Sequence, residues 1–331
     1  MIDLTVIICA YNAQVYIERT LLGFLNQTLK EYSLLVIDDC STDNTAQIVK
    51  SFILEYKLIN WSIVTLPKNV GLAASRKYGE QNVETEYVID FDADDIPLPE
   101  MLEKQVVILR NDQKCMAVGS YCSYIDENDN QIYGGFYIGP TNKEQFFSQA
   151  STNKLIFLHH PMYRRDIASQ VGGRSLIGFP DGQIRYQDMC EDLDLWMRMS
   201  DFYIYNNYFI VIPEPLFLYR KHTSAMSSNA NLMNQRIRHI KFNLLRRRNG
   251  LPDISFIDYN KTISNLQKIK NYMQDKSSNY YKISGSNYLN KNYTYFLFYL
   301  FSAFVYSPGY VGKKIRGNFL MRNKKNNSYE S

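Results

Sequence analysis

The feature that most restricts this chain is an alternation of short apolar runs with helix-spaced stripes, in which two of the runs end in clustered acids. Residues 4–9 form a β-branched run, and Ile17, Leu21, Phe24 and Leu25 follow at helical spacing, so the chain opens as strand and then helix. Residues 34–37 repeat the strand pattern and end in Asp38 and Asp39. Ser41 or Thr42 is expected to cap the next helix, which turns Ile48, Val49, Phe52 and Ile53 inward. Residues 63–66, 73–83 and 87–91 continue as strand, helix and strand, the last ending in Asp92-Ala93-Asp94-Asp95. Such alternation predicts an α/β fold, a parallel sheet with helices on both faces, whose ligands sit beyond the carboxyl ends of the strands. Acids from two strands, with Tyr11 and Asn12 from the first, are thereby brought to one rim.

After residue 115 the pattern changes. Residues 116–125 and 131–137 flank a polar turn and read as an antiparallel hairpin, which makes the sheet mixed. A helix over 192–201 and a strand near 216–219 close this part. At 331 residues the chain exceeds the usual size of one compact domain, so a larger domain over 1–225 and a helical accessory region over 226–331 are expected, with the boundary around 224–231.

Several function classes are disfavoured. The net charge of +4 is too small to imply a nucleic-acid partner. The five cysteines form no CxxC or Cys/His cluster, so neither a zinc site nor a disulfide framework is indicated, and a reducing cytosol fits. No basic region precedes the first apolar run, which Asp3 interrupts, so a secretory signal is not expected. No G-x-G-x-x-G follows the first strand, and a P-loop is absent. The stretch Asn69-Val70-Gly71-Leu72-Ala73-Ala74-Ser75-Arg76 offers a Gly turn and a cation, with a helix N-terminus available to phosphate.

A departing diphosphate carries charge that a divalent metal can stabilise without proton transfer, and Mg²⁺ typically takes one or two protein carboxylates. A short D-x-D at a strand end, Asp92 and Asp94, meets that demand. Taken alone, the same cluster is equally a solvated, helix-capping turn before Pro97 and Pro99. Asp39 can accept from the imide N–H of uracil, and Tyr11 offers a ring for base stacking. Either alone is also an ordinary turn residue.

Read together and in order, TVIICAYNAQVYIERTLLGFLNQT, VIDDCSTDNT, PKNVGLAASRKYG, IDFDADDIPLP and CEDLDLWMRM resemble the family-2 inverting glycosyltransferases of the GT-A fold. The resemblance implies a Rossmann-like nucleotide-binding mixed sheet over residues 1–225, with Tyr11, Asn12, Asp39, Asn69, Arg76 and Asp92 holding the nucleotide-sugar donor. It implies a metal, Mn²⁺ or Mg²⁺, at Asp92 and Asp94, with Asp94 the direct ligand. His222, in FLYRKHTSAMS, approaches that metal or the diphosphate. The acid of the ED pair at a late helix start is the family's catalytic base, which assigns Asp192, preceded by Glu191. A helix N-terminus favours its ionised form. Taken alone, the pair is ordinary dipole compensation. His159 and His160 are expected at a polar strand end near the acceptor cleft, and Trp196 in a helix core.

Cys40 stands where Gly is commonest in the family, and Cys190 where a small residue is frequent. The Gln-x-x-Arg-Trp signature of processive relatives is absent, so single-sugar addition is expected. The implied activity is transfer from a UDP-sugar to a saccharide or lipid-linked acceptor in surface polysaccharide or lipooligosaccharide assembly. A sugar-1-phosphate nucleotidyltransferase would share the acidic rim but calls for a Gly-rich N-terminal loop with Arg and Lys, which AYNAQVY is not. A catalytically silent nucleotide-sugar-binding protein is argued against by the intact ED pair and D-x-D.

The 27 Tyr and 18 Phe concentrate partly in the tail. Residues 293–312 carry no charge, yet Pro308 and Gly309 limit the helix before them to about 14 residues, or about 21 Å, short of a hydrocarbon core of about 30 Å. It is not expected to span. Six Lys or Arg follow between 313 and 325, so segment 293–325 is expected to dock on an anionic leaflet at the cytoplasmic face of the cell membrane. The competing expectation is a helix packed on the catalytic domain.

Overall fold

A computed structural model describes residues 2–222, 230–289 and 291–316. The chain alternates as β1 (Leu4–Ala10), α1 (Ile17–Leu25), β2 (Ser33–Asp38), α2 (Thr45–Glu55), β3 (Trp61–Thr65), α3 (Leu72–Gln81) and β4 (Tyr87–Asp92). A short β5 (Ile96–Pro97) and α4 (Met101–Asn111) lead into the hairpin β6 (Cys115–Ile125) and β7 (Gln131–Phe136). Then come α5 (Lys143–Ser151), β8 (Met162–Arg164), α6 (Arg165–Gln170), α7 (Ile184–Asp188), α8 (Glu191–Met199), β9 (Tyr208–Arg220) and α9 (Ala230–Arg248).

These strands form one mixed sheet in the order β3-β2-β1-β4-β8-β6-β9-β5, with β7 paired to β6. β1 lies parallel between β2 and β4, and every one of its seven residues is buried, as a strand covered on both faces must be. Its register sets Ala10 opposite Asp38 and Cys9 opposite Asp92. Both acidic clusters therefore flank the carboxyl end of β1, as the strand endings predict. Phe24 of α1 meets Phe91 of β4 edge-on at 4.9 Å, and a Cβ on Gly79 would meet Ile7 Cγ2 at 2.7 Å, so α3 crosses β1 too closely for a side chain there.

Two local expectations need correction. α2 starts at Thr45, not after Ser41 or Thr42, because the Asp43 carboxylate accepts both the Thr45 N–H (2.9 Å) and its hydroxyl (2.5 Å). Ser41 and Thr42 bond instead to Asn12. The strand expected at 216–219 extends back to Tyr208, and Pro213 lies where the register against β6 shifts between Ile212 and Pro215.

The chain divides into two compact units, residues 1–228 with 236–256, and residues 229–235 with 257–331. The boundary expected at 224–231 falls largely on residues outside those described. The second unit contains α10 (Phe256–Thr262) from its second residue, α11 (Asn265–Leu289) and α12 (Tyr293–Tyr306). α12 packs on α11, where Ser277 Oγ donates to Ala303 O (2.7 Å) and Tyr280 stacks on Tyr299. The chain re-enters a helix at Pro308, whose fixed φ and missing N–H suit a first helical position. Among the described residues no helix is long and apolar enough to cross a membrane. Residues 317–325 of the tail lie outside the described residues.

Candidate active site

The rim is built first by the turn after β2. Asp39 is buried, and its carboxylate accepts the Val70 N–H (2.8 Å) and the Gly71 N–H (2.9 Å), while Asn69 Nδ2 donates to its carbonyl (3.2 Å). Burial raises the Asp39 pKa against the pull of those two N–H groups. Asp188, at the end of α7, accepts the Ala73 N–H (2.9 Å). The N-terminus of α3 is thus filled by two carboxylates. Asp188 takes the Ala73 N–H of its first turn, and Asp39 takes the two N–H groups that lead into it. Asn12, at φ +51°, is likewise engaged, its Oδ1 accepting the Thr42 N–H at 2.8 Å. Tyr11 stays exposed beside it.

The acids after β4 divide by depth. Asp94 is partly exposed, and its Oδ2 lies 2.7 Å from His222 Nε2; the carboxylate raises that imidazole's pKa. Asp92 is also partly exposed. Burial opposes its charge, but the Arg76 guanidinium at 2.5 Å, with His160 and His159 beyond it, outweighs this and lowers its pKa. Asp95 is only 1% exposed and fully engaged, one oxygen accepting the Arg220 N–H (2.9 Å) and the other meeting His160 Nε2 (2.8 Å). Asp92, Asp95 and His160 bring one ligand atom each within 4.8 Å of one another. Both oxygens of Asp95 are already paired in the core, so this trio cements β4 to the segment before β8. The accessible donors are Asp92, Asp94 and His222. Hard oxygens with one imidazole suit Mg²⁺ or Mn²⁺, so the donor set fits the implied metal.

Asp95 was visible only as one acid of its cluster, and Arg220 did not stand out in the sequence. Arg220 is buried, donates from Nε to the Asp94 carbonyl (2.8 Å) and pairs with Asp129 in the β6–β7 turn (2.5 Å). An arginine two residues before His222 was the available signal. His160, expected at a polar strand end near the acceptor cleft, is buried, with its two ring nitrogens on Asp95 and the Asp90 carbonyl.

The third contribution comes from α8. Its first turn carries Glu191 and Asp192, and Trp196 is core, packed on Tyr163 at 5.2 Å. Glu191 is buried between the Arg76 and Arg174 guanidiniums. Arg76 is itself buried, spanning Glu191 and Asp92 rather than projecting from the rim. Asp192 is partly exposed, accepts only the Leu193 N–H (2.7 Å) and has no cation paired with it among the described residues. Burial first, and then the neighbouring Glu191 charge, push its pKa up to about 6. Cys40 and Cys190 both hold left-handed backbone, at φ +61° and +53°, which accounts for glycine or small residues being favoured there.

The model of the Glycosyl transferase family 2 matches residues 5–172. An uncharacterised glycosyltransferase of Haemophilus influenzae is 30% identical over 231 residues, 69% of this chain and 68% of its own length. The putative glycosyltransferase EpsE of Bacillus subtilis is 28% identical, over 72% of this chain and 84% of its own. Among solved structures, residues 1–349 of Staphylococcus aureus TarS, in complex with UDP-GlcNAc, align with a TM-score of 0.54 at 16% identity, covering 91% of each chain. The mannosyltransferase PcManGT of Pyrobaculum calidifontis, in complex with GDP-Man and Mn²⁺, aligns at 0.55 and 16%, covering 92% of this chain and 86% of that one. The structural likenesses carry the fold alone, whereas the family match reaches from β1 beyond the D-x-D and sets aside the nucleotidyltransferase alternative. The chain therefore belongs to glycosyl transferase family 2 and is a glycosyltransferase of the GT-A fold.

Proposed function

We propose that the chain is an inverting glycosyltransferase that moves one sugar from a nucleotide-sugar, a UDP-sugar in the first instance, to a saccharide or lipid-linked acceptor. The observation that carries the reading is the contrast within the ED pair: Glu191 is locked between two arginines, while Asp192 pairs with no cation among the described residues and has its pKa pushed up to about 6. A base of that kind takes the acceptor hydroxyl proton efficiently near pH 7. As the acceptor oxygen bonds to the anomeric carbon, the opposite bond to the diphosphate breaks. Its electron pair leaves with the diphosphate, and the proton ends on Asp192. Tyr11 and Asp39 would flank the nucleobase of the donor, with Asn12 and Asn69 holding the turns that carry them. Asp92, Asp94 and His222 are the residues that would hold Mn²⁺ or Mg²⁺. A divalent cation there would supply positive charge to the departing diphosphate. UDP-GlcNAc bound to TarS and GDP-Man bound to PcManGT support a nucleotide-sugar donor.

The acceptor reading extends to the second unit. Leu297, Phe298, Phe301, Phe304 and Val305 of α12 are exposed, and Lys313, Lys314 and Arg316 follow, which supports peripheral docking on an anionic cytoplasmic leaflet where lipid-linked acceptors reside. The test is Asp192→Asn: transfer and donor hydrolysis are lost while Mn²⁺-dependent UDP binding stays near wild type. Retained turnover in that variant removes Asp192 as base. A hydrolysis screen across UDP- and GDP-sugars with Mn²⁺ identifies the donor.

A further inference from the structure

Arg174 has no part in that scheme, yet it is fully buried and meets three carboxylates. Its Nε lies 2.5 Å from Glu191 Oε2, close but poorly aligned, an ion pair more than a hydrogen bond. Its Nη2 donates to Asp90 Oδ2 at 2.8 Å, and its Nη1 pairs with Glu80. Gly172 (φ +84°) and Gly173 (φ +61°) turn the chain so that this side chain enters the core directly after α6. The turn is tied down on both sides: Lys77 Nζ of α3 donates to the Arg174 carbonyl (3.2 Å), and Arg198 Nη1 of α8 donates to the Val171 carbonyl (2.6 Å).

The consequence is a row of alternating charges, Arg174, Glu191, Arg76, Asp92, running from this loop through α8 and α3 to β4. A buried ion cluster is weak evidence of stability, since well-packed apolar side chains often replace one without loss. Here the cluster ends at groups of the site. Asp92 is its last member, and the free carboxylate of Asp192 directly follows Glu191. We propose that Arg174 is a positioning residue, which fixes Glu191, and through it Arg76 on Asp92, so that the first turn of α8 and the carboxyl end of β4 stay at one spacing. The proposal rests on the reading that Asp192 serves the acceptor and Asp92 the donor.

Electrostatics agree in direction. The charges acting on Asp192 are Glu191 of α8, which raises its pKa, and Arg76 of α3 and Arg174 of the loop, which lower it. The experiment compares full-length Arg174→Lys and Arg174→Met with wild type. The Lys variant keeps the charge but not the fork. It is expected to bind UDP with Mn²⁺ within about threefold of wild type, while kcat for hydrolysis of the preferred donor drops about tenfold or more at unchanged KM. Amide hydrogen exchange should quicken in the first turn of α8 and hold elsewhere. In the Met variant the acid limb of the kcat profile should move to higher pH, a shift that a purely structural role would not give. Wild-type kcat and exchange in the Lys variant would overturn the proposal, as would a kcat loss that only tracks weakened UDP binding. If the Met variant does not fold, the Lys variant decides. If wild type hydrolyses no donor, the functional reading fails by itself, and the exchange measurement still judges Arg174.

Discussion

His222 Nε2 meets Asp94 Oδ2 at 2.7 Å across 128 residues of sequence, so the end of β9 delivers an imidazole to the acidic turn after β4. Arg220 reinforces the arrangement by donating to the Asp94 carbonyl and lying over the Tyr16 ring, which is itself 5.6 Å from the His222 ring. If both groups hold a metal, each contributes separately to nucleotide affinity. Asp94→Ala and His222→Gln should each weaken Mn²⁺-dependent UDP binding by about tenfold or more, roughly 1.4 kcal/mol. Binding without metal should change little. Calorimetric titrations that superimpose on wild type for either variant remove that residue from the site.

The Asp192 pKa near 6 fixes the sign of a pH effect. The base acts only when ionised, and burial with the Glu191 charge disfavours that form, so the acid limb is raised from the ordinary Asp value of about 3.9. kcat should fall about tenfold per pH unit below about pH 6 and level off above it. A limb near pH 4 would mean that Asp192 titrates as an ordinary exposed carboxylate, or that another group takes the proton.

The strand ends were legible because a parallel sheet leaves little freedom in the register: two apolar runs ending in acids, on either side of β1, meet at one rim. The helix expected over 192–201 is likewise present, as α8, one residue earlier at its start. What the sequence hid were partners chosen by tertiary packing. Nothing local marks Asp188 as the acceptor for the Ala73 N–H, or Arg174 as the counter-ion of Glu191. The adjacent glycines before Arg174 were a signal of unusual backbone, but not of which core the following side chain enters. Asp95 was visible as the third acid of its cluster; that it points inward to His160 depends on β8 pairing with β4.

The filled N-terminus of α3 gives a stability prediction. Burial pushes the Asp188 pKa up to about 6, against the pull of the Ala73 N–H. Its folded pKa therefore exceeds the unfolded value of about 3.9, so this group adds stability as pH falls through 6 and loses it as pH rises. Asp188→Asn keeps an acceptor for the Ala73 N–H and cannot titrate. Between about pH 7 and about pH 5, wild type should gain about 1 kcal/mol relative to the Asn variant in urea unfolding. Asp188→Ala, which leaves that N–H unpaired, should be less stable than Asn by about 1 kcal/mol. Parallel pH profiles for wild type and Asn would show that the carboxyl is not held as described.

The exposed side of α12 gives the last prediction, chosen so that the fold is not at stake. Phe298 and Phe301 are 61% and 67% exposed, so their replacement removes little from the core. Inserting one such ring into the acyl boundary contributes about 1.5–3 kcal/mol. Phe298→Ser with Phe301→Ser should therefore reduce binding to phosphatidylglycerol vesicles by about 100-fold or more, with the melting temperature unchanged. Lys313→Gln with Lys314→Gln should weaken the same binding by a smaller factor, of about 30, and only at low salt, since each basic residue near the surface contributes about 1 kcal/mol and is screened. Sedimentation with vesicles checks both. Unchanged partitioning of the Phe variant would mean that α12 is not the docking face, and an unchanged Lys variant at low salt would mean that the leaflet's charge is not what the tail reads.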